Sequence, residues 1–120
     1  MRLTFIEHPA FTEWVTEALA DDELAAVQRQ LQESAESGDV IRGCGGLRKL
    51  RCGIVSAGRG KRGGGRIVYM HIPEVSVVFL IAGYSKVNKS DLTSEQRKVL
   101  AALAQEFKRE IIQASQRKRT

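Results

Sequence analysis

Two strand-like runs lie on either side of a Pro-Glu pair in the segment Arg66-Ile-Val-Tyr-Met-His-Ile-Pro-Glu-Val-Ser-Val-Val-Phe-Leu-Ile-Ala-Gly83. Both runs, 66–72 and 75–83, are rich in Val, Ile, Tyr and Phe, the residues that favour strands. The short Pro73-Glu74 connection predicts a tight turn, so that the two runs form an antiparallel hairpin. The second run is almost continuously apolar and therefore predicts a central strand covered on both faces.

The residues before the hairpin predict one more strand on each side of a helix pair. Alternation from Arg2 to Ile6 indicates a short first strand, and residues 47–52 indicate a later one. His8-Pro9 opens the first helix, whereas Asp21 or Asp22 caps the second, which Gly38 ends. Apolar residues at helical spacing mark the buried faces of this pair: Phe11, Trp14, Val15, Ala18 and Leu19, then Leu24, Val27, Leu31 and Ala35.

A final helix is predicted from Thr93 to about Ser115. A Thr93-x-x-Gln96 capping box opens it, and one apolar stripe follows: Val99, Leu100, Leu103, Phe107 and Ile111. The predicted fold class is therefore α+β, with an antiparallel β-sheet, two N-terminal helices and one C-terminal helix in the order β-α-α-β-β-β-α. Residues 1–120 are predicted to form a single domain with a disordered basic tail at about 116–120.

Composition excludes several classes of protein. The 120 residues are 42% hydrophobic and 28% charged, and no apolar run approaches the ~20 residues of a membrane span. The first residues do not resemble a signal peptide, so we expect a cytoplasmic protein without membrane contact. Cys44 and Cys52 do not form a zinc-ligand spacing with His8 and His71, and we predict no metal and no cofactor.

Charge is strongly segregated along the chain. The first forty residues carry a net charge of −7 and the remainder +12. No acid occurs between residues 42 and 66, where glycines alternate with eight basic residues: Arg42, Arg48, Lys49, Arg51, Arg59, Lys61, Arg62 and Arg66. Such a local concentration of positive charge indicates a site for a polyanion.

The two ends of the hairpin add to this basic segment. Arg66 begins one strand and Tyr84 follows the other, so antiparallel pairing brings them to the same edge of the sheet, with Lys86 and Lys89 nearby. Guanidinium groups can bind a phosphate in a forked geometry and a tyrosine can stack on a base, which suits RNA. A solvated basic face without a ligand is the alternative that charge alone leaves open. The basic half has no acid cluster for two-metal phosphoryl chemistry and no phosphate-cradling GxxxxGK[ST] loop.

Several motifs resemble those of the HigB/RelE superfamily of bacterial toxins. They are Gly45-Gly-Leu-Arg-Lys-Leu-Arg51, Gly65-Arg-Ile-Val-Tyr69, and Ala82-Gly-Tyr-Ser-Lys-Val-Asn-Lys-Ser-Asp-Leu-Thr93. The likeness covers about residues 3–103 and looks like the HigB branch. It implies a RelE-like fold and a ribosome-dependent mRNA endoribonuclease, or mRNA interferase, which a co-encoded antitoxin holds inactive; we expect that antitoxin to be of the helix-turn-helix type.

The resemblance also implies roles for individual residues. It places the family's basic residues at Arg48, Lys49, Arg51, Arg66 and Lys86. Together with the charge distribution, this predicts a catalytic group of Lys49 as candidate general base, Arg66 at the scissile phosphate, Lys86 and Tyr84, and contacts to the RNA backbone from Arg48, Arg51, Lys61, Arg62 and Lys89. Some members of the superfamily use a tyrosine near the C-terminus, and the matching region here, 91–93, has none. Tyr84 either replaces it from another position or the reaction needs no phenol. Attack by a ribose 2′-OH on its own 3′ phosphate requires alignment and charge stabilisation without a metal.

Two other functions fit the same residues. A basic module could bind RNA or the ribosome and block a site without breaking a bond, or an inactive toxin could be retained to bind the antitoxin. The glycine-rich loop at 57–65 also has more than one candidate role: it could order on the ribosome, bind the antitoxin or be a tolerated insertion.

Overall fold

The computed structural model describes residues 2–54, 64–85 and 92–118. Its elements are β1 (Thr4–Glu7), α1 (Pro9–Ala18), α2 (Asp21–Glu33), β2 (Asp39–Val40), β3 (Leu47–Cys52), β4 (Gly65–Ile72), a 3-10 turn (Pro73–Val75), β5 (Val77–Ser85) and α3 (Ser94–Lys118). This arrangement confirms the predicted α+β class, with two helices before the main strands and one after them. No helix within the described residues is long and apolar enough to cross a membrane.

The sheet is mixed, whereas the sequence predicted an antiparallel one. Its strand order is β1-β5-β4-β3-β2, and β1 runs parallel to β5 while the other pairs are antiparallel. A hairpin fixes the direction of neighbouring strands through its short connection. The partner of β1 lies about seventy residues along the chain, so nothing in the local sequence indicates the direction of that pairing. The two-residue β2 at the opposite edge was also not predicted.

Each face of the sheet packs against its own helices. We call the side that contacts α1 and α2 the α1–α2 face and the opposite side the α3 face. Phe11 and Leu31 are fully buried on the α1–α2 face, and Ala104 of α3 is fully buried on the other. Residues 77–81 of β5 are all buried, which confirms the predicted central strand. Because both faces are covered, almost every apolar residue of β4 and β5 contributes burial, about 1.5–3 kcal/mol for a large side chain.

The helix ends differ in part from the predictions. His8 caps α1 as expected, and its Nδ1 accepts a hydrogen bond from the backbone N–H of Ala10 at 3.1 Å. The N-cap of α2 is Ala20 and not Asp21 or Asp22; the Glu23 carboxylate accepts the Ala20 N–H at 2.7 Å. The helix ends at Glu33, so Gly38 does not terminate it. Instead, Gly38 lies in a turn where another side chain approaches its backbone.

The start of α3 agrees with the capping box predicted from the sequence. Thr93 and Gln96 exchange the two hydrogen bonds of a capping box, at 3.0 and 3.1 Å. The predicted apolar stripe is wrong at one position, because Val99 is 64% exposed while Ala104 is fully buried. The helix continues to Lys118, and the disordered tail at 116–120 stays a prediction.

A β-bulge changes the orientation of side chains within β5. Val68 pairs with Ala82 and Tyr69 with Leu80, so Ile81 has no partner in β4. Ile81 and Ala82 both pack on the α3 face, and Tyr84 lies on that face too, while Gly83 lies against Trp14 on the α1–α2 face. The connection between β4 and β5 is also longer than the predicted two-residue turn; it is a 3-10 turn followed by Ser76 at φ +54°.

Candidate functional site

Three residues form a row across neighbouring strands on the α3 face. Arg66 of β4 pairs with Arg51 of β3 on one side and with Tyr84 of β5 on the other. Directly opposed residues in antiparallel strands have Cβ atoms about 4.5–5.5 Å apart and point to the same side. The sheet therefore places the Cβ atoms of two arginines and a tyrosine side by side, as the hairpin predicted for Arg66 and Tyr84. We call Arg51, Arg66 and Tyr84 the cross-strand row.

Arg66 is the buried member of this row. It is 6% exposed, and among the described residues it is the only buried side chain that carries a charge. Its Nη1 donates a hydrogen bond to the carbonyl of Gly65 at 3.1 Å. Burying a charge is costly unless hydrogen bonds hold it, so the guanidinium is held in a defined position before any ligand arrives.

Lys49 lies beside the row, two positions before Arg51 and hence on the same face of β3. It pairs with Asp39 of β2. Both residues line a cleft of about 260 Å³ that Arg42 and Arg97 also line. The α3 face thus collects cations from β3, β4, α3 and the loop after β2, and such a group can bind a phosphodiester backbone.

Sequence reasoning missed Arg97 and Asp39 as neighbours of Lys49. A signal for Arg97 existed, because it stands three residues before Leu100 and seven before Ala104, on the side of α3 that packs against the sheet. A lone arginine in line with apolar residues of an amphipathic helix indicates a partner at the helix–sheet boundary. Asp39 had no such signal, since β2 is too short to show a pattern.

The structure separates Arg48 from this group. Arg48 lies on the α1–α2 face, where its Nη1 donates to the carbonyls of Glu36 at 3.1 Å and Gly38 at 2.9 Å. Its Nη2 lies 3.8 Å from the Glu36 carboxylate, which also lies 3.4 Å from Nδ1 of His71. These contacts tie the segment after α2 to the sheet, so the guanidinium serves the fold on the side opposite the cross-strand row.

Four further predicted site residues lie outside the described residues: Lys61, Arg62, Lys86 and Lys89. Their roles stay predictions. Among residues 2–54, 64–85 and 92–118, no three His, Cys, Asp or Glu side chains lie close enough together to hold a metal ion.

The two cysteines are free and buried. Burial raises the pKa of the Cys52 thiol to about 11, and the Gly65 backbone and the Arg66 charge offset only part of that effect. Cys52 is therefore a protonated thiol at neutral pH and a poor nucleophile. It packs on the α1–α2 face, away from the cross-strand row.

The charge segregation seen in the sequence becomes a separation between faces. Helices α1 and α2 carry six acids against one base, Arg29, and cover one side of the sheet: Glu13, Glu17, Asp21, Asp22, Glu23 and Glu33. The cations of the cross-strand row, Lys49 and Arg97 lie on the other side. A polyanion approaching the molecule is therefore attracted to the α3 face and repelled from the α1–α2 face.

Comparison with solved structures shows a known fold. The chain is similar to the free-state structure of the E. coli toxin RelE, solved as a mutant with two arginines replaced by alanine, with a TM-score of 0.52 and 23% identity over 75% of this chain and 90% of that one. A crystal form of isolated E. coli RelE gives a TM-score of 0.49 and 17% identity over 84% and 98% of the two chains. No family model matches the sequence. The first of these structures shows that the chain has a RelE-like fold.

Proposed function

We propose that this chain is a type II toxin that cuts messenger RNA on the ribosome, without a metal ion, and thereby inhibits translation. The observation that carries the proposal is the cross-strand row, in which Arg51, Arg66 and Tyr84 occupy opposed positions on the face where the cations gather. The RelE-like fold supports the toxin class, and the motifs at 45–51, 65–69 and 82–93 favour the HigB branch within it.

The proposed reaction is an internal transesterification. The ribose 2′-oxygen forms a bond to the adjacent 3′ phosphorus, and the bond from that phosphorus to the 5′-oxygen of the next nucleotide breaks. The 2′-proton passes to a base, for which Lys49 is the candidate, and the departing 5′-oxygen takes up a proton from water. The products are a 2′,3′-cyclic phosphate and a free 5′-hydroxyl.

Arg66 and Arg51 would stabilise the charge that accumulates on the phosphorane. A guanidinium already held in place costs little reorganisation when that charge develops, which suits the buried Arg66. Tyr84, opposite Arg66, would align the ribose or stack on a base. Lys86 would complete the catalytic group and Lys61, Arg62 and Lys89 would contact the flanking backbone.

An antitoxin is the proposed second partner. A helix-turn-helix protein encoded beside the toxin would cover or distort the cationic α3 face and so prevent binding to the ribosome. In this proposal the protein acts in the cytoplasm, where translation takes place.

The test compares cleavage of ribosome-bound message by the wild type, Arg66→Ala and Arg29→Ala. Arg29 is exposed on α2, so its removal changes net charge equally on the opposite face. Primer extension would locate new 5′ ends, and end analysis would identify the cyclic phosphate. We expect Arg66→Ala to lower the rate by roughly a hundred- to a thousandfold, corresponding to about 2–4 kcal/mol of barrier, and Arg29→Ala to leave it near that of the wild type. Equal rates for all three proteins would remove Arg66 from the mechanism.

A binding module that breaks no bond would give a different result. Its affinity would fall with salt, with log K decreasing by about 0.7–0.9 for each neutralised phosphate per unit of log salt concentration, and no new RNA ends would form. A wild-type protein that binds ribosomes in this way and leaves every message intact would establish that function instead.

A further inference from the structure

A cavity of about 360 Å³ lies next to the cross-strand row, between the last residues of β5 and the first turns of α3. Its walls include Ala82 and Tyr84 from β5, Leu92 before the helix, and Glu95, Val99 and Leu100 from α3. None of its described lining residues belongs to β4 or β3. The cavity therefore adjoins the cross-strand row at Tyr84.

The walls of this cavity differ in chemistry from the neighbouring row. Most of them are apolar, and Val99 is 64% exposed, which leaves a large aliphatic side chain uncovered at the cavity wall. Glu95 adds a carboxylate in the first turn of α3. A phosphate would be repelled by that carboxylate and poorly solvated by the apolar walls. Phosphate binding is therefore expected at the arginines of the cross-strand row and not in this cavity. A flat, apolar-faced group with N–H donors on its edge suits the cavity.

We propose that this cavity holds one nucleobase of the message, adjacent to the phosphate at Arg66, and that Glu95 reads its edge. The inference rests on the proposed function and adds a specificity site to it. Tyr84 links the two subsites because it belongs to the cross-strand row and to the cavity wall. A volume of 360 Å³ also falls within the usual range of small-ligand pockets, about 300–1,000 Å³.

The carboxylate gives the cavity a preference among bases. An ionised carboxylate only accepts hydrogen bonds, and cytosine, adenine and guanine each carry an exocyclic amino group that donates them. Uracil carries no amino group: its one donor on that edge, N3–H, lies between two carbonyl oxygens, so a carboxylate that accepts from it is also brought close to a carbonyl oxygen that repels it. The protein should therefore cut poorly when uracil occupies this position, by about tenfold relative to the best base.

Two exposed residues allow the site to be changed without disturbing the core. Glu95→Gln keeps the shape of the side chain but adds an N–H₂ donor, which can bond to a uracil carbonyl. Val99→Trp fills the cavity from its wall. Glu110→Gln and Ala102→Trp are matched controls, since both residues are exposed on α3 and neither lines the cavity.

The experiment measures cleavage of a set of ribosome-bound messages that differ in one base at each position around the cut. We expect Glu95→Gln to reduce the discrimination against uracil at one position from about tenfold to about twofold or less. Val99→Trp should lower cleavage of messages with the preferred base about tenfold and change those with uracil much less. Both controls should keep the wild-type profile, and urea unfolding of every variant would confirm comparable stability.

Each outcome separates the two proposals. A wild-type protein that cuts no message refutes the proposed function, and this inference fails with it. A wild type that cuts with a base preference unchanged in both Glu95→Gln and Val99→Trp keeps the proposed function and overturns the base site. A Val99→Trp protein that cuts normally but no longer binds its antitoxin would also overturn it, because the cavity would then be a protein-docking surface.

Discussion

The hydroxyl of Tyr69 accepts a hydrogen bond from the backbone N–H of Gly38 at 3.0 Å and donates one to the carbonyl of Ala35 at 2.9 Å. A Cβ atom on Gly38 would lie 2.8 Å from Cε1 of the Tyr69 ring and 2.9 Å from its hydroxyl oxygen. The chain after α2 is thus held against β4 by a fully buried side chain. That contact positions β2, and with it Asp39, opposite Lys49.

Tyr69→Phe should lower the free energy of unfolding by about 1–3 kcal/mol, because the buried Gly38 N–H and Ala35 carbonyl lose their partner. Gly38→Ala should cost at least as much, since the ring or the backbone must move to admit a methyl group. Urea unfolding followed by circular dichroism would measure both. A Tyr69→Phe protein as stable as the wild type would show that water replaces the hydroxyl at no cost.

Replacing Arg48 and replacing Arg51 should have opposite effects on stability and on the salt dependence of RNA binding, although only two residues separate them. Arg48→Ala should destabilise the fold by about 1–3 kcal/mol, because two carbonyl contacts are lost, and leave the salt dependence of RNA binding unchanged. Arg51→Ala should leave stability within about 0.5 kcal/mol of the wild type and reduce the slope of log K against log salt by about one phosphate contact. Each variant is the control for the other. The reverse pattern would place Arg48 at the RNA and Arg51 in the fold.

Gly83 and Trp14 should be energetically coupled. A Cβ on Gly83 would lie 2.1–2.5 Å from three atoms of the Trp14 ring, so Gly83→Ala forces the indole out of its position. We expect Gly83→Ala to cost about 1–3 kcal/mol in the wild-type background, as overpacking usually does, and clearly less in a Trp14→Leu background, where the smaller side chain leaves room. A double-mutant cycle from urea unfolding would measure the difference. Equal costs in both backgrounds would contradict the contact.

Alkaline pH should destabilise the protein through Cys52. Burial raises the pKa of this thiol from its ordinary value of 9.0 to about 11, so the unfolded chain releases a proton that the folded protein keeps. The stabilisation is complete below pH 9 and is lost as pH rises towards 11, at up to about 1.4 kcal/mol per pH unit. Burial also raises the pKa of Tyr69 above 10.0, which adds to the loss above that pH.

Unfolding free energies measured between pH 9 and 10 in the wild type and in Cys52→Ala would test this assignment. The variant should show a flatter dependence on pH, whatever its stability at neutral pH. Parallel curves for the wild type and Cys52→Ala would assign the decline to other groups.

Local patterns in the sequence predicted most of the fold. The apolar run in β5, the helical spacing in α1 and α2, and the Thr93–Gln96 capping box each report on residues close together in the chain. Each element formed where its pattern indicated except at the ends of α2, whose predicted residue Ala35 lies in a turn after the helix. The parallel pairing of β1 with β5 depends on a contact across about seventy residues. Such a pairing is decided by how the helices cover the sheet, which no local pattern describes.

The candidate site was predictable only where strand register determined it. Arg66 and Tyr84 meet because they occupy matching ends of one hairpin. Because side chains alternate along a strand, Arg48, Lys49 and Arg51 of β3 cannot all share a face, but alternation alone does not show that Arg48 is the one bound to the segment after α2. That outcome depends on the carbonyls of Glu36 and Gly38, whose position is set by the contact with Tyr69.

The bulge at Ile81 determines which face of the sheet each later side chain of β5 occupies. Strict alternation after Leu80 would send the phenol of Tyr84 towards Trp14 and present Gly83 beside Arg66. Deleting Ile81, by contrast, would leave Val68 opposite Ala82 and Arg66 opposite Tyr84, so the bulge and the number of residues after it together decide which side chain stands beside Arg66.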